Sequence, residues 1–294
     1  ILSGYDLLIC LGADVLRMSV YSPVQPLPEG MPIVQLGLRD WEMGKNYPAE
    51  LAVRSDVKET LRALTPLIEE KLGSSGASRA SAALANLASI NWTARRDALR
   101  SKTLSSTDSP RMDPAMLMLR LVEALPANAV VVDEGILSTR ALHDFYAFRD
   151  ARCFYGLASG GIGFALPGAI GIQLAQPDRP VVAIVGDGSA MYSIQALWTA
   201  AHLRCPITYV ICNNGSYRII KERLRSFHGS NRFIGMDLKD PAIDFVTLAQ
   251  SLGVRAKRIT DAEEIGPAIR EATRETGPTL LDIIVDDGFS NRAG

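Results

Sequence analysis

The sequence of 294 residues holds only four cysteines, Cys10, Cys153, Cys205 and Cys212, and no two of them form a CxxC pair. So low a density, without paired spacing, argues against a disulfide framework and against thiolate zinc motifs. Histidine is equally scarce: His143, His202 and His228 show neither HExxH nor any other metal-ligand spacing. Charge of one sign is also lacking. Lys and Arg number 31 against 32 Asp and Glu, for a net charge of −1. That balance gives no electrostatic reason to expect nucleic acid or an acidic membrane surface as partner. No apolar run approaches the length needed to cross a bilayer. The first residues, Ile1-Leu2-Ser3-Gly4-Tyr5-Asp6, lack an initiator Met and the basic start of a signal peptide. The expectation is a cytoplasmic protein with further chain upstream of Ile1.

What is present is an ordinary globular balance, 47% hydrophobic and 21% charged. The length fits two domains or one large α/β domain. Short apolar runs at 5–11 and 33–36, with a shorter one at 50–53, suit parallel strands buried on both faces. Asp56 then caps a helix carrying Val57, Leu61, Leu64 and Ile68, expected to end near Gly73. Residues 1–72 therefore read as part of a small doubly wound domain. Residues 73–110 read as a connection: a small-residue segment, Gly73-Ser74-Ser75-Gly76-Ala77-Ser78, and a surface helix around Ala83 to Arg100. From Asp113-Pro114, a helix cap followed by proline, strands and helices alternate through 111–294. Strands are expected at 129–133, 153–155, 181–185, 207–212, 254–258 and 279–285. Helices are expected at 114–124, 138–148, 163–176, 193–203, 244–252 and 262–275. This is an α/β fold, a parallel sheet with helices on both faces, and its ligands belong at the carboxyl ends of the strands.

Two of those strand ends carry chemistry. Strand 181–185 runs into Gly186-Asp187-Gly188-Ser189-Ala190, and the next strand ends in Cys212-Asn213-Asn214-Gly215-Ser216-Tyr217. Glycines allow a close backbone approach, and free N–H groups at a helix start suit phosphate. Asp187 beside phosphate would repel it unless a divalent cation lay between. Magnesium takes six hard oxygens, few of them from protein. The Asp187 carboxylate, the Asn214 amide oxygen and the Ser216 backbone carbonyl would supply three.

This pair of motifs resembles the diphosphate-binding signature of thiamine diphosphate-dependent enzymes. The likeness extends over Ala158-Ser159-Gly160-Gly161-Ile162-Gly163-Phe164-Ala165-Leu166-Pro167-Gly168-Ala169-Ile170-Gly171, and over 185–201 it is similar to the benzoylformate decarboxylase branch of that family. The resemblance implies a partial central domain followed by the diphosphate-binding domain. It implies Mg²⁺ on Asp187, Asn214 and Ser216, and cofactor contacts from Gly186, Gly188, Ser189, Asn214 and Tyr217. Gly160 would meet the aminopyrimidine, and Ile162 would hold the cofactor in its V shape. The segment Asp133-Glu134-Gly135-Ile136-Leu137-Ser138 would border the cofactor, with Ile136 and Leu137 where the branch has hydroxyl residues. The resemblance places the ylide-promoting Glu on a pyrimidine-binding domain of another subunit, outside this chain. It implies a homo-oligomer, dimer or tetramer, and an inactive chain when isolated.

The activity so implied is non-oxidative decarboxylation of a small 2-keto acid to an aldehyde, with carboligation as a possible companion. The alternatives are an acetolactate synthase-like or oxidase member of the family, the question of FAD going with them, or a non-catalytic cofactor-binding or assembly subunit. Ser19 falls where the branch has a histidine, with Arg17 two residues away. Ile219 and Arg223 fall where a substrate pocket would be lined. His143 and His202 read as packing or surface residues. His228 and the basic stretch with Lys221, Arg223, Arg225 and Arg232 read as a solvated mobile face.

Overall fold

The computed structural model describes residues 2–15, 24–106, 111–158 and 160–289. The chain divides into two compact units, Ile1–Ser89 and Ile90–Gly294. In the first, β1 (Leu8–Leu11), β2 (Ile33–Gly37) and β3 (Leu51–Arg54) form a parallel sheet in that order. Helix α1 (Val57–Leu87) opens on Asp56, whose side chain accepts the Glu59 N–H. It breaks at Gly73, where φ is +56°, and then continues to Leu87. The segment 73–78 is therefore a kink between helical stretches, not a flexible loop. Glycine tolerates the left-handed break, and the alanine-rich residues beyond it favour helix. The helix expected over 83–100 is likewise divided. Asn91 accepts the Ala94 N–H and starts a separate helix, α2 (Trp92–Ser105).

The second unit continues with α3 (Pro114–Ala124), β4 (Val130–Glu134), α4 (Leu142–Phe145), β5 (Phe154–Gly156), α5 (Ala165–Ala175) and β6 (Val181–Gly186). Then follow α6 (Asp187–Ala190), α7 (Ala196–His202), β7 (Ile207–Asn213), α8 (Arg218–His228), α9 (Phe245–Ser251), β8 (Arg255–Ile259), α10 (Ala262–Ala272) and β9 (Thr279–Ile284). All six strands are parallel, in the order β5-β4-β6-β7-β9-β8. Alternate residues feed opposite faces, as the pleat requires. Val131, Val182, Ile184, Val210 and Leu281 pack with Leu117, Leu121, Leu142 and Ile269 from α3, α4 and α10. Val132, Ala183, Val185, Tyr209 and Ile211 pack with Leu166, Leu197 and Phe245 from α5, α7 and α9. Both faces are sealed, which is why these strands read as unbroken apolar runs.

Three expected elements differ. The helix over 138–148 shrinks to α4, and that over 193–203 shortens to α7, preceded by the separate short α6. Of the basic stretch read as a solvated mobile face, Lys221, Arg223, Arg225 and His228 lie on α8, and Arg232 follows it. From β4 the chain turns outward to β5, then returns to place β6 on the other side of β4. The crossover through α4 packs on one face and that through α7 on the other. Loops leaving β4 and β6 therefore part in opposite directions and open a crevice between those strand ends.

Candidate cofactor site

The crevice is built from the ends of β4, β6 and β7. Gly186 pairs with Cys212 across β6 and β7, so the residues just beyond each strand meet side by side. Asp187 is buried; one carboxylate oxygen accepts the Gly188 N–H at 2.9 Å and the other the Gly215 N–H at 2.6 Å. Gly215 turns the chain with φ of +65°, and the Asn214 amide oxygen accepts the Ser216 N–H at 2.9 Å. The loop is held from above by residues 236–238: the Tyr217 N–H donates to the Met236 carbonyl and the Leu238 N–H to the Gly215 carbonyl. A side chain at Gly188 would lie 2.7 Å from the Tyr217 ring, so the glycine is what lets that ring close over the turn.

Burial pushes the Asp187 carboxyl up to about 6, against the lowering pull of N–H groups from Gly188, Gly215 and Ser216; buried Asp282 nearby adds repulsion. Burial also raises the Cys212 thiol far above its ordinary value.

Residues 135–138, 186–189, Asn214, Ser216, Tyr217, Arg218 and Ile219 enclose a cleft of about 50 Å³. The structure thus brings together Gly186, Asp187, Gly188, Ser189, Asn214, Ser216 and Tyr217. Gly160 and Ile162 are not in its lining. Gly160 is exposed with φ of +78° and Ile162 is half-buried, both on the stretch leading into α5. Ser159, Arg17 and Ser19 lie outside the described residues.

The donors fit a hard divalent cation. They are one carboxylate, one amide oxygen and one backbone carbonyl, each with lone pairs beyond the hydrogen bonds already made. The Ser216 hydroxyl is buried without a partner. A desolvated carboxylate whose ionisation is disfavoured is also where a cation restores the charged form. Among the described residues no cluster of three His, Cys, Asp or Glu side chains forms a metal site. Here the protein offers few ligands, and phosphate oxygens and water would fill the remaining positions.

The sequence reading placed Glu134 in the segment bordering the cofactor without its bonds, and missed Arg218. Glu134, buried at the end of β4, accepts the N–H groups of Gly163 and Ala165, the latter at 2.5 Å, and so fixes the glycine-rich entry to α5. Arg218 lines the cleft, with its guanidinium on Glu222 at 3.1 Å. Of the two residues expected to line a substrate pocket, Ile219 borders this cleft, whereas Arg223 is exposed on α8 and outside its lining. The solvated face expected of the basic stretch fails at Lys221, which is buried against Asp237. Neither His143 nor His202 lines the cleft: His143 lies 4.0 Å from Asp133, and His202 stacks on Trp198. All four cysteines are free and buried.

Comparison with known proteins agrees with this geometry. The thiamine pyrophosphate enzyme central domain matches residues 1–64, and the thiamine pyrophosphate enzyme C-terminal TPP binding domain matches residues 137–283. The chain belongs to the thiamine pyrophosphate enzyme family. Benzoylformate decarboxylase of Pseudomonas aeruginosa is 31% identical over 288 residues, 96% of this chain and 49% of that protein. The acetolactate synthase large subunit of Parasynechococcus marenigrum is 29% identical over 288 residues, 96% of this chain and 44% of its own length. Among solved structures, the thiamine diphosphate-dependent 4-hydroxybenzoylformate decarboxylase of Rhodococcus jostii RHA1 superposes with a TM-score of 0.76 at 29% identity, covering 97% of this chain and 50% of that one. The chain thus spans about half the length of these relatives. The match at 137–283 contains every lining residue of the cleft but Gly135 and Ile136, which assigns that cleft to the family's cofactor-binding domain.

Proposed function

We propose that this chain forms the magnesium- and diphosphate-binding half of a thiamine diphosphate site, in an oligomeric cytoplasmic enzyme that decarboxylates a small 2-keto acid to an aldehyde without oxidation. The observation that carries the proposal is the single cleft joining the Gly186-Asp187-Gly188 turn to the Asn214-Gly215-Ser216 loop. When bound, the cofactor supplies an electron sink for loss of carbon dioxide. The chain's own part is binding and orientation. Asp187, the Asn214 amide oxygen and the Ser216 carbonyl would hold Mg²⁺, and Gly186, Gly188, Ser189 and Tyr217 would seat the diphosphate. Glu134 holds the N–H groups at the entry to α5, keeping the stretch with Gly160 and Ile162 in a fixed course. A pyrimidine-binding domain of another subunit would complete the site.

The nearly equal likeness to an acetolactate synthase large subunit supports a second reading, condensation of 2-keto acids in place of simple aldehyde release. Calorimetric titration of thiamine diphosphate into the intact protein, with and without Mg²⁺, tests the cofactor assignment. Asp187→Ala removes a charged ligand and is expected to weaken binding by about 1.5–3 kcal/mol. Affinity indifferent to both Mg²⁺ and Asp187→Ala refutes it. Product analysis on a panel of aryl, alkyl and acidic 2-keto acids separates aldehyde release from condensation.

A further inference from the structure

Asp282 is a carboxylate with no solvent exposure, the fourth residue of β9, a strand otherwise made of Thr, Leu and Ile. An ionised group in such a place is costly unless fully bonded. One of its oxygens accepts the Asn213 side-chain N–H at 2.9 Å and the other the Arg258 Nε–H at 2.8 Å. Arg258 reaches on to Asp244 at 2.9 Å, and Asp244 caps α9 through Val246 and Thr247. Beyond Asn213, the chain of contacts enters the cation loop. The Asn213 amide oxygen accepts the Gly215 N–H at 3.2 Å, the same N–H that reaches Asp187.

An amide has one accepting and one donating end. A carboxylate at 282 can only accept, so it draws the Asn213 NH₂ toward itself and leaves the oxygen facing Gly215. With the amide reversed, two N–H groups would oppose each other at Gly215, the residue whose left-handed turn sets Asn214 and Ser216 on either side. We infer that Asp282 is a positioning residue for the cation site. It fixes the orientation of the Asn213 amide, and through it the turn that presents the Asn214 oxygen and the Ser216 carbonyl, while Arg258 balances its charge. This inference rests on the cation site proposed above and adds a residue that touches neither cation nor cofactor.

The test uses the intact protein and Mn²⁺ as a paramagnetic probe for the cation, bound in the presence of thiamine diphosphate and followed by electron paramagnetic resonance. Asp282→Asn cannot accept from Asn213 and Arg258 together, because one end of the new amide is a donor. Loss of such an outer-shell contact weakens metal binding by about 10- to 100-fold, and that loss is expected here. The exchange Asn213→Asp with Asp282→Asn satisfies each contact again, with donor and acceptor reversed only between positions 213 and 282. The carboxylate introduced at position 213 would accept from the Gly215 N–H and from the amide introduced at position 282. That amide's oxygen would in turn accept from Arg258. The exchanged protein is expected to bind Mn²⁺ within a few-fold of wild type, and it remains the deciding variant if Asp282→Asn alone does not fold. Failure of the exchange to bind Mn²⁺ overturns the orientation argument. Wild-type affinity in Asp282→Asn, with binding lost in Asp187→Ala, overturns the role of Asp282 and leaves the cation site standing. Wild-type affinity in Asp187→Ala removes the site and this inference with it.

Discussion

Ile136 has a φ of +53° at the edge of the cofactor cleft, in a region that a β-branched side chain rarely enters. Its neighbours impose the turn. The Asp133 carboxylate accepts the Gly135 N–H at 2.9 Å, and the Ser138 N–H donates to the Gly135 carbonyl. A Cβ at residue 135 would meet the Thr139 side chain at 2.2 Å, so any residue but glycine there forces that buried side chain to shift. A left-handed L-residue costs about 1–2 kcal/mol, and Asn carries that conformation more easily than Ile. Ile136→Asn is therefore expected to raise stability by about 1 kcal/mol, read as a higher urea midpoint with an unchanged slope. An unchanged or lower midpoint would show that Ile136 packing outweighs the strain. At this scale the sequence reveals only groups that stand together along the chain. Asp187 and Asn214 could be read because each belongs to a short motif closing a strand. The bonds of Glu134 and Asp282 could not, since what makes each matter is a partner tens of residues away, Gly163 for one and Asn213 for the other.

Helix α8 shows why an element can be misread although its residues are plain. Its inward face carries Arg218, Lys221, Glu222 and Arg225, while Ile220 and Phe227 are exposed. A pattern search looking for apolar residues inside and charges outside meets the reverse. The charges are there because α8 packs on a polar strap, residues 235–239, and not on the sheet. The Lys221 ammonium lies 2.6 Å from Asp237, under the Phe233 and Phe289 rings, and Lys239 joins Asp237 to buried Asp287. Lys221 holds the Asp237 carboxyl below the usual carboxylate range. The same strap hydrogen-bonds the loop from Gly215 to Tyr217. Lys221→Met keeps the stem and removes the charge. Asp237 is partly exposed and keeps Lys239, so the expected cost is small, about 1–2 kcal/mol. Its signature is local: the Tyr217 and Leu238 amides should exchange hydrogen faster, while those of β6 and β7 change only with the global stability. Unchanged exchange at Tyr217 and Leu238 would show that the strap holds without this ion pair. The strands, by contrast, were readable nearly residue by residue, because burial on both faces leaves uninterrupted Val and Ile runs.

Within these 294 residues, about half the length of the relatives, the two units bury apolar surface unequally. In Ile90–Gly294 the sheet is sealed by two large clusters, and the strands β4, β6, β7 and β9 run through fully buried Val, Ile and Leu side chains. In Ile1–Ser89 the buried apolar residues among those described are Cys10, Val15, Ile33 and Leu36. All four residues of β3 are exposed, and α1 buries only Gly76, leaving Leu61, Leu64, Leu67 and Ile68 in contact with water. Local opening is cheap where few apolar contacts must be broken, and core strands open only with the whole unit. Hydrogen exchange on the 294-residue chain should therefore separate into two classes. Amides of β1–β3 and α1 should exchange within minutes, and those of β4, β6, β7 and β9 should persist until global unfolding. Truncations should divide in the same way: Leu117→Ala, in the sealed core, should cost about 2–5 kcal/mol, whereas Leu61→Ala should stay within about 0.5 kcal/mol. Equal protection of β2 and β7 would contradict the argument. It would mean that the apolar face of α1 is covered in solution, for instance by self-association, which dilution would reverse and sedimentation would detect.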